Sequence, residues 1–238
     1  MRYSPAPMLD ISRIQAVTLD LDDTLWPVWP TIARAETRLQ EWLTPQAPLS
    51  AQTFADLKQR KALRDAVLAA FPHLKHDLSF IRREMIRGAL LQSDENLALA
   101  DPAYEVFFAA RQEVELFDDA LGALSQFAAR WPVLALSNGN ADVQQIGIGQ
   151  YFCGSHSARD AGAAKPDVRI FHSAAAVLQC GPEAILHVGD DAEMDVLGAL
   201  DAGMQTAWVN RNGHVWSHPQ DPHTTVGTLA ELCGVLGL

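Results

Sequence analysis

The chain has 238 residues, of which 48% are hydrophobic and 20% charged, and its formal net charge is −11. This composition is typical of a soluble globular protein, and the acidity disfavours nucleic acid and anionic membranes as general partners. No apolar run reaches the length of a membrane span or of a signal peptide. The three cysteines are widely spaced and form no CxxC pair, so we expect a cytoplasmic protein without disulfides.

Apolar runs predict four strands, and segments with helical spacing lie between them. The predicted strands are Ile14–Leu21, Pro132–Leu136, Ala184–Val188 and Gln205–Val209. The predicted helices are Asp118–Arg130, Asp167–Gln179, Ala192–Ala202 and a last one near 226–236. This alternation predicts an α/β fold with about five parallel strands flanked by helices.

The region from Trp26 to Glu115 has a different character. Apolar residues recur at helical spacing in segments 31–43, 51–71, 77–92 and 102–115, with turn-forming residues between them. We therefore expect an all-helical domain over residues 26–115, inserted into a discontinuous α/β core that comprises residues 1–25 and 116–238.

The first predicted strand ends in an acidic cluster, Asp20-Leu21-Asp22-Asp23-Thr24. Side chains two residues apart on a strand share a face, so Asp20 and Asp22 should project together. Open α/β sheets bind ligands at the carboxyl ends of their strands, which is where this pair lies. A solvated acidic turn that caps a helix is the alternative for this cluster taken alone.

A second acidic cluster, Gly189-Asp190-Asp191-Ala192-Glu193-Met194-Asp195, follows a later predicted strand. Two acidic clusters at the carboxyl ends of parallel strands can converge on one cation. Because every donor is a carboxylate oxygen, Mg²⁺ is the ion that this pattern favours. One of these aspartates could instead cap the following helix, but helix capping does not explain all of them.

Two further sites complete the pattern. Ser137-Asn138-Gly139 ends another strand and offers a hydroxyl and close backbone approach, as phosphate binding requires. Lys165 precedes a predicted helix and is the only lysine after Lys75. A lysine at this boundary is a suitable charge partner for the aspartates.

The order DLDDTL, SNG, AKPD and VGDDAEMDV is similar to the four motifs of the haloacid dehalogenase-like hydrolases. The resemblance covers about 1–25 and 116–210, and it implies a Rossmann-like core with an inserted C1-type helical cap. It further implies that Asp20 is the nucleophile, Asp22 the general acid and base, and Lys165 the cation that steadies the phosphoryl group. The metal ligands it implies are Asp20, Asp22, Asp190, Asp191 and Asp195. We expect substrate contacts from Ser137, Asn138, Gly139, Thr24 and Trp26.

Within this family the chain resembles bacterial phosphatases of riboflavin metabolism that act on FMN and on aminoribitylaminouracil phosphate. The resemblance rests on Ile11–Leu25, Trp131–Asn140, Ile185–Val196 and Gly203–Trp208, and it implies a flavin or ribityl phosphate substrate. Trp26 or Trp29 could then stack on the substrate ring, and packing within the protein is the alternative role for both.

Other functions stay open on the same core. A phosphomutase, a sugar or nucleotide phosphatase, and a non-catalytic binding protein are the alternatives, and the oligomeric state is left open. A 2-haloacid dehalogenase is disfavoured because its reaction has no alkoxide to protonate and needs no acid at Asp22. We therefore expect a hydrolase of small phosphate monoesters that requires Mg²⁺ and has neither nucleic acid nor membrane as a partner.

Overall fold

The structure is a computed structural model that describes residues 8–238. The chain divides into two compact units, one formed by the residues up to Pro27 together with Leu116–Leu238 and the other by Val28–Glu115. We refer to them as the core unit and the cap unit. None of the described helices is both long and apolar enough to cross a membrane.

The cap unit is entirely helical in its regular structure. Its α-helices are α1 (Val28–Leu43), α2 (Pro48–Ala55), α3 (Leu57–Ala70), α4 (Leu78–Gln92) and α5 (Ala100–Arg111). The single helix expected over 51–71 is divided at Asp56, whose carboxylate accepts the Lys58 and Gln59 N–H groups at 2.8 and 3.1 Å and so starts α3. The cap unit has a hydrophobic core of its own, which includes Leu39, Met85 and Phe107.

An ionic network joins three helices of the cap unit. Glu36 on α1 accepts from Arg82 on α4, with Nη2 2.8 Å from Oε1, and Arg60 on α3 places Nη1 3.2 Å from Oε2. The Arg82 guanidinium also lies over the Phe107 ring, 4.2 Å from its centre. These charged side chains therefore hold helices of the cap unit together.

The core unit is built on a parallel sheet. Its strands are β1 (Ala16–Leu19), β2 (Val133–Ser137), β3 (Gly154–Ser157), β4 (Ile185–Gly189), β5 (Gln205–Val209) and β6 (Thr224–Val226). They are ordered β3-β2-β1-β4-β5-β6, and all neighbouring pairs are parallel. In the centre, Val17 of β1 pairs with Val133 of β2 and with Leu186 of β4. The expected α/β fold with a parallel sheet is confirmed.

The two edge strands are the part of the sheet that the sequence does not predict. Every residue of β1, β2, β4 and β5 is buried, which explains the apolar runs that predict these strands. Strands β3 and β6 read Gly-Ser-His-Ser and Thr-Thr-Val, and most of their residues are partly or fully exposed. Their hydrogen bonds to neighbouring strands therefore form without a hydrophobic signal in the sequence.

Helices pack against this sheet. The α-helices of the core unit are α6 (Ala120–Arg130), α7 (Val143–Ile146), α8 (Ala158–Ala161), α9 (Val168–Leu178), α10 (Gly198–Asp201) and α11 (Leu229–Leu236). The helix expected over 192–202 begins instead as a π-helical segment, Ala192–Leu197, and continues as α10. At Gly198 an added Cβ would lie 2.7 Å from the Phe171 ring, so close packing of α10 on α9 requires glycine there.

Candidate active site

The site lies at the carboxyl ends of the central strands. Asp20 follows β1 and continues the sheet, since its N–H donates to the Val188 carbonyl of β4 at 2.9 Å. Asp190 follows β4, and Ser137 ends β2. The chain moves outward from β1 toward β2 on one side and from β4 toward β5 on the other, so this is where the strand order reverses. Doubly wound sheets bind their ligands at such a reversal.

Lys165 joins the two acidic clusters. Its Nζ donates to Asp20 Oδ1 at 2.5 Å, to Asp195 Oδ1 at 2.6 Å and to the Leu136 carbonyl at 3.0 Å, which uses all three ammonium protons. Only 4% of the residue is exposed, so these charge-assisted bonds form away from water. The expected charge partner of the aspartates is thus in contact with two of them.

Asn138, an expected substrate contact, is also bound to Lys165. Its Oδ1 accepts from the Lys165 N–H at 2.7 Å, and its Nδ2 donates to the Lys165 carbonyl at 3.0 Å. The side-chain amide is therefore used to position Lys165. Ser137 and Gly139 stay at the carboxyl end of β2, where the Gly139 N–H donates to Ser137 Oγ at 2.9 Å. The Ser137 hydroxyl keeps its own proton for an incoming acceptor.

Thr24 is likewise placed between carboxylates. Its Oγ1 lies 3.0 Å from Asp190 Oδ1 and 3.3 Å from Asp20 Oδ2, and the residue is fully buried. Its single hydroxyl proton can serve only one of these oxygens at a time. Thr24 therefore fixes the spacing of the two aspartates, and this contact replaces the substrate contact that we expected of it.

Asp195 is held by three donors. Its Oδ1 accepts from Lys165 and lies 3.2 Å from His187 Nε2, while its Oδ2 accepts the Asp191 N–H at 3.0 Å. The carboxylate packs against the backbone of Gly189, where an added Cβ would come 2.3 Å from Asp195 Cγ. Both oxygens are thus engaged by the protein, and the position of Asp195 depends on glycine at 189.

His187 is a site residue that the sequence motifs do not indicate. Burial lowers its pKa in spite of the adjacent Asp195 carboxylate, so the ring is neutral near pH 7. Because the carboxylate can only accept, Nε2 carries the proton, and Nδ1 accepts from the Thr18 hydroxyl at 2.9 Å. The available signal was a polar residue in the otherwise apolar strand Ile-Leu-His-Val-Gly.

Three of the five expected metal ligands come together. Among the described residues, Asp20, Asp190 and Asp195 each offer a carboxylate oxygen, and these oxygens lie within 4.8 Å of one another. Asp191 is exposed, and its Oδ1 instead caps the π-helical segment by accepting the Glu193 and Met194 N–H groups at 2.8 and 2.7 Å. The side chain of Asp22 also lies outside this group, and its Oδ1 accepts from Trp26.

The expected contact between the Trp26 ring and the substrate is wrong. Its side chain is fully buried, and Nε1 donates to Asp22 Oδ1 at 2.9 Å. A buried indole has no face open for stacking on a ligand. Trp29, in the cap unit, is 76% exposed.

The electrostatics of the site reflect a shortage of positive charge. Burial raises the pKa of Asp20 well above its ordinary value, and the negative charges of Asp195 and Asp190 add to this effect against the pull of Lys165. Burial, together with Asp195, raises the pKa of Asp190 to about 7. Asp195 is the exception, because Lys165 and His187 overcome its burial and lower its pKa.

These residues fit a Mg²⁺ ion. The donors are hard carboxylate oxygens, and a single lysine faces three carboxylates, so a divalent cation would relieve the repulsion that raises the pKa values of Asp20 and Asp190. Since the two oxygens of Asp195 are already engaged, Asp20 and Asp190 are the side chains best placed to hold the ion. The role of Asp195 is then to hold Lys165 in place by accepting a hydrogen bond from its Nζ.

Comparisons with known proteins agree on one family. The model of the haloacid dehalogenase-like hydrolases matches residues 14–203. The chain is 33% identical to the 5-amino-6-(5-phospho-D-ribitylamino)uracil phosphatase YigB of Escherichia coli strain K12 in an alignment 234 positions long that covers 95% of this chain and 98% of that protein. It is 26% identical to the N-acylneuraminate-9-phosphatase of Mus musculus over 242 residues, with 96% of each protein covered.

A solved structure shows the same fold. The 2-haloacid dehalogenase of Pseudomonas syringae pv. Tomato DC3000 matches with a TM-score of 0.89 and 34% identity, covering 94% of this chain and 98% of that one. The family match spans both acidic clusters, the Ser137 strand end and Lys165. The resemblance expected from the four motifs is confirmed, and the chain belongs to the haloacid dehalogenase-like hydrolases.

Proposed function

We propose that this hydrolase removes the phosphoryl group from a small-molecule phosphate monoester with the help of Mg²⁺, by way of a phosphorylated Asp20. The observation that carries the proposal is the convergence of Asp20, Asp190 and Lys165 at the carboxyl ends of β1 and β4. A buried carboxylate nucleophile beside a lysine and a cation site suits the transfer of an anionic group.

The residues of the site have separate tasks in two steps. In the first step an Asp20 oxygen forms a bond to phosphorus while the bond to the leaving oxygen breaks, and Asp22 donates a proton to that oxygen. In the second step water attacks the phosphorus, the bond to Asp20 breaks, and Asp22 takes the proton from water. The Ser137 hydroxyl offers a hydrogen bond to a phosphoryl oxygen, and Lys165, which stays hydrogen-bonded to Asp20, keeps its positive charge beside the reacting group.

Asp20 and Asp190 would hold the metal ion, with Thr24 fixing the distance between them. A bound Mg²⁺ supplies positive charge that allows an anionic nucleophile to approach an anionic phosphate. Lys165 alone cannot supply this charge, because its three protons are already committed to Asp20, Asp195 and the Leu136 carbonyl.

The substrate we favour is FMN or a ribityl phosphate of riboflavin metabolism. The support is the similarity to YigB, a 5-amino-6-(5-phospho-D-ribitylamino)uracil phosphatase, which extends over 95% of this chain. The cytoplasm is the proposed compartment, because all three cysteines have free thiols.

Dehalogenation of a 2-haloacid is the second candidate, since a protein described as a 2-haloacid dehalogenase matches with a TM-score of 0.89 at 34% identity. Dehalogenation also uses a carboxylate nucleophile, but its halide leaves without a proton. The carboxyl group of Asp22, held by a dedicated hydrogen bond from Trp26, favours a leaving oxygen instead.

Release of phosphate and of chloride from the same enzyme preparation separates the two candidates. The panel contains FMN, ribityl, sugar and nucleoside monophosphates and 2-chloropropionate, each with Mg²⁺ and with EDTA. We expect phosphate release that requires Mg²⁺, and a loss of at least about 10³-fold in Asp20→Asn, which keeps the size of the side chain. Turnover of Asp20→Asn near the wild-type rate, or release of chloride alone, would contradict the proposal.

A further inference from the structure

The turn after Asp20 brings a tryptophan back beside the proposed acid. The Leu25 N–H donates to the Leu21 carbonyl at 2.8 Å, and the Asp23 N–H donates to the Trp26 carbonyl, also at 2.8 Å. Asp23 has a φ of 56°, and Trp26 pairs with Asp22 as an isolated parallel bridge. Because these bonds close the turn, the backbone of Trp26 has a fixed position relative to Asp22.

The indole N–H of Trp26 also connects the side chains of Trp26 and Asp22. It is fully buried, and its N–H is a donor only, so folding requires an acceptor for it. Two other buried tryptophans donate to main-chain carbonyls, Trp131 to Ile14 at 3.0 Å and Trp208 to Asp190 at 2.7 Å. Trp26 donates instead to a carboxylate, Asp22 Oδ1 at 2.9 Å.

We infer that Trp26 is a positioning residue for the reaction: its indole N–H holds the Asp22 carboxyl group in the orientation that protonates the leaving oxygen. This inference rests on the proposed phosphatase function. Trp26 itself does not touch the substrate.

The need for this proton depends on the leaving group, which gives a specific test. An alkoxide is a poor leaving group and requires protonation, whereas a nitrophenolate does not. Trp26→Phe keeps an aromatic ring in the buried position, removes the N–H donor and shortens the ring system by the same amount as the Trp131→Phe control. We expect kcat/KM for an alkyl phosphate to fall by about tenfold, and that for p-nitrophenyl phosphate by less than about threefold. In an Asp22→Asn background, Trp26→Phe should cause no further change in the ratio of kcat/KM for the alkyl phosphate to kcat/KM for p-nitrophenyl phosphate.

Trp131→Phe is the matched control, because Trp131 is also buried and loses one indole hydrogen bond, but to a main-chain carbonyl. Its ratio of alkyl to aryl turnover should equal that of the wild type. Thermal unfolding of each variant reports any loss of stability separately. Equal slowing of the two substrates by Trp26→Phe, or an equal change of ratio in Trp131→Phe, would overturn the inference.

A second measurement does not require Trp26 to be replaced. In the ¹⁵N–¹H spectrum, Asp22→Asn should shift the indole resonance of Trp26 and leave that of Trp131 in place; an unmoved Trp26 resonance would contradict the hydrogen bond. If the wild type hydrolyses neither ester, the proposed function fails and this inference with it. If the wild type and Asp20→Asn behave as proposed while the ratio is unchanged in Trp26→Phe, the inference alone fails.

Discussion

At the scale of single residues, the site brings more negative charge together than its one lysine can balance. Lys165 pairs with Asp20 and Asp195, while Asp190 has, within residues 8–238, only the neutral Thr24 hydroxyl as a side-chain hydrogen-bond donor. The pKa of Asp190 is accordingly raised to about 7, mainly by burial. A residue so perturbed beside a nucleophile is typical of a functional site and costs stability when ionised.

The first prediction concerns Asp190→Asn. The folded chain favours the neutral form of Asp190, so its contribution to stability is complete below the ordinary pKa of 3.8 and is lost as pH rises through about 7. One pKa unit is worth about 1.4 kcal/mol. The stability gained by removing the charge is partly offset, because asparagine accepts a weaker hydrogen bond from Thr24 than an ionised aspartate does. We expect Asp190→Asn to stabilise the metal-free protein by about 2 kcal/mol at pH 8 and to change its stability little at pH 4. Urea unfolding in EDTA measures both.

The same variant should lose the stabilisation that Mg²⁺ gives to the wild type. In the wild type this stabilisation should weaken below pH 7, because protons compete with the ion for Asp190. Asp191→Asn is the matched control, since Asp191 is exposed and asparagine caps a helix as well as aspartate does. If the two variants respond alike to Mg²⁺ and pH, Asp190 is not the metal ligand.

At the scale of elements, buried strands could be predicted from the sequence and polar edge strands could not. Strand β5 was predicted with its correct ends, Gln205–Val209, because both of its faces are buried. Strand β3 has one buried residue, His156, so its pairing with β2 depends on a neighbour distant in sequence. The break between α2 and α3 was missed because Asp56 lies in a segment that keeps helical spacing on both sides.

The candidate site likewise contains residues that could be predicted from the sequence and residues that could not. Asp20, Lys165 and Asp190 could be found because each lies in a motif next to a predicted element. The bonds of Asn138 to Lys165 and of His187 to Asp195 join residues whose separation along the chain carries no pattern. The position of Trp26 near Asp22 in the sequence suggests a ligand contact, whereas its burial follows only from the closed turn.

One aspartate joins several elements of the core unit. Asp119, just before α6, accepts both terminal nitrogens of Arg211 at 3.2 and 3.1 Å and the Leu229 N–H of α11 at 2.6 Å. Arg211 also donates to the Thr24 carbonyl at 2.9 Å. The two charged side chains are only 15% and 14% exposed, so they depend on each other for solvation.

The second prediction is that Asp119→Asn destabilises the protein by about 3 kcal/mol, because it leaves the Arg211 guanidinium in a poorly solvated place without its counter-charge. Asp65→Asn is the control. Its partner Lys61 is 75% exposed and Asp65 is 57% exposed, so that change should cost less than about 0.5 kcal/mol. Urea unfolding at pH 7 compares them, and equal midpoints would show that the Asp119 pair contributes no more than a surface pair.

At the scale of the whole molecule, the two units have separate hydrophobic cores. The buried cluster that includes Phe171 and Ile185 consists of core-unit residues alone, and the cluster that includes Leu39 and Phe107 consists of cap-unit residues alone. The six strands all belong to the core unit. We propose that the inserted domain comprises residues 28–115 rather than 26–115, since Trp26 and Pro27 belong to the core unit, and that its removal leaves the remaining sheet able to fold.

The third prediction follows from the ends of that insertion. The Phe117 N–H donates to the Leu25 carbonyl at 2.9 Å, so the two chain segments are neighbours where the insertion begins and ends. A linker of about four Gly and Ser residues in place of 28–115 should therefore close the core unit without strain. We expect cooperative thermal unfolding and a circular dichroism spectrum with less helix than the full chain. Phe171→Asp in this shortened chain is the control, since a charge at a fully buried position should abolish cooperative unfolding. A shortened chain that unfolds without cooperativity, like its Phe171→Asp control, would show that the core unit requires residues 28–115 to fold.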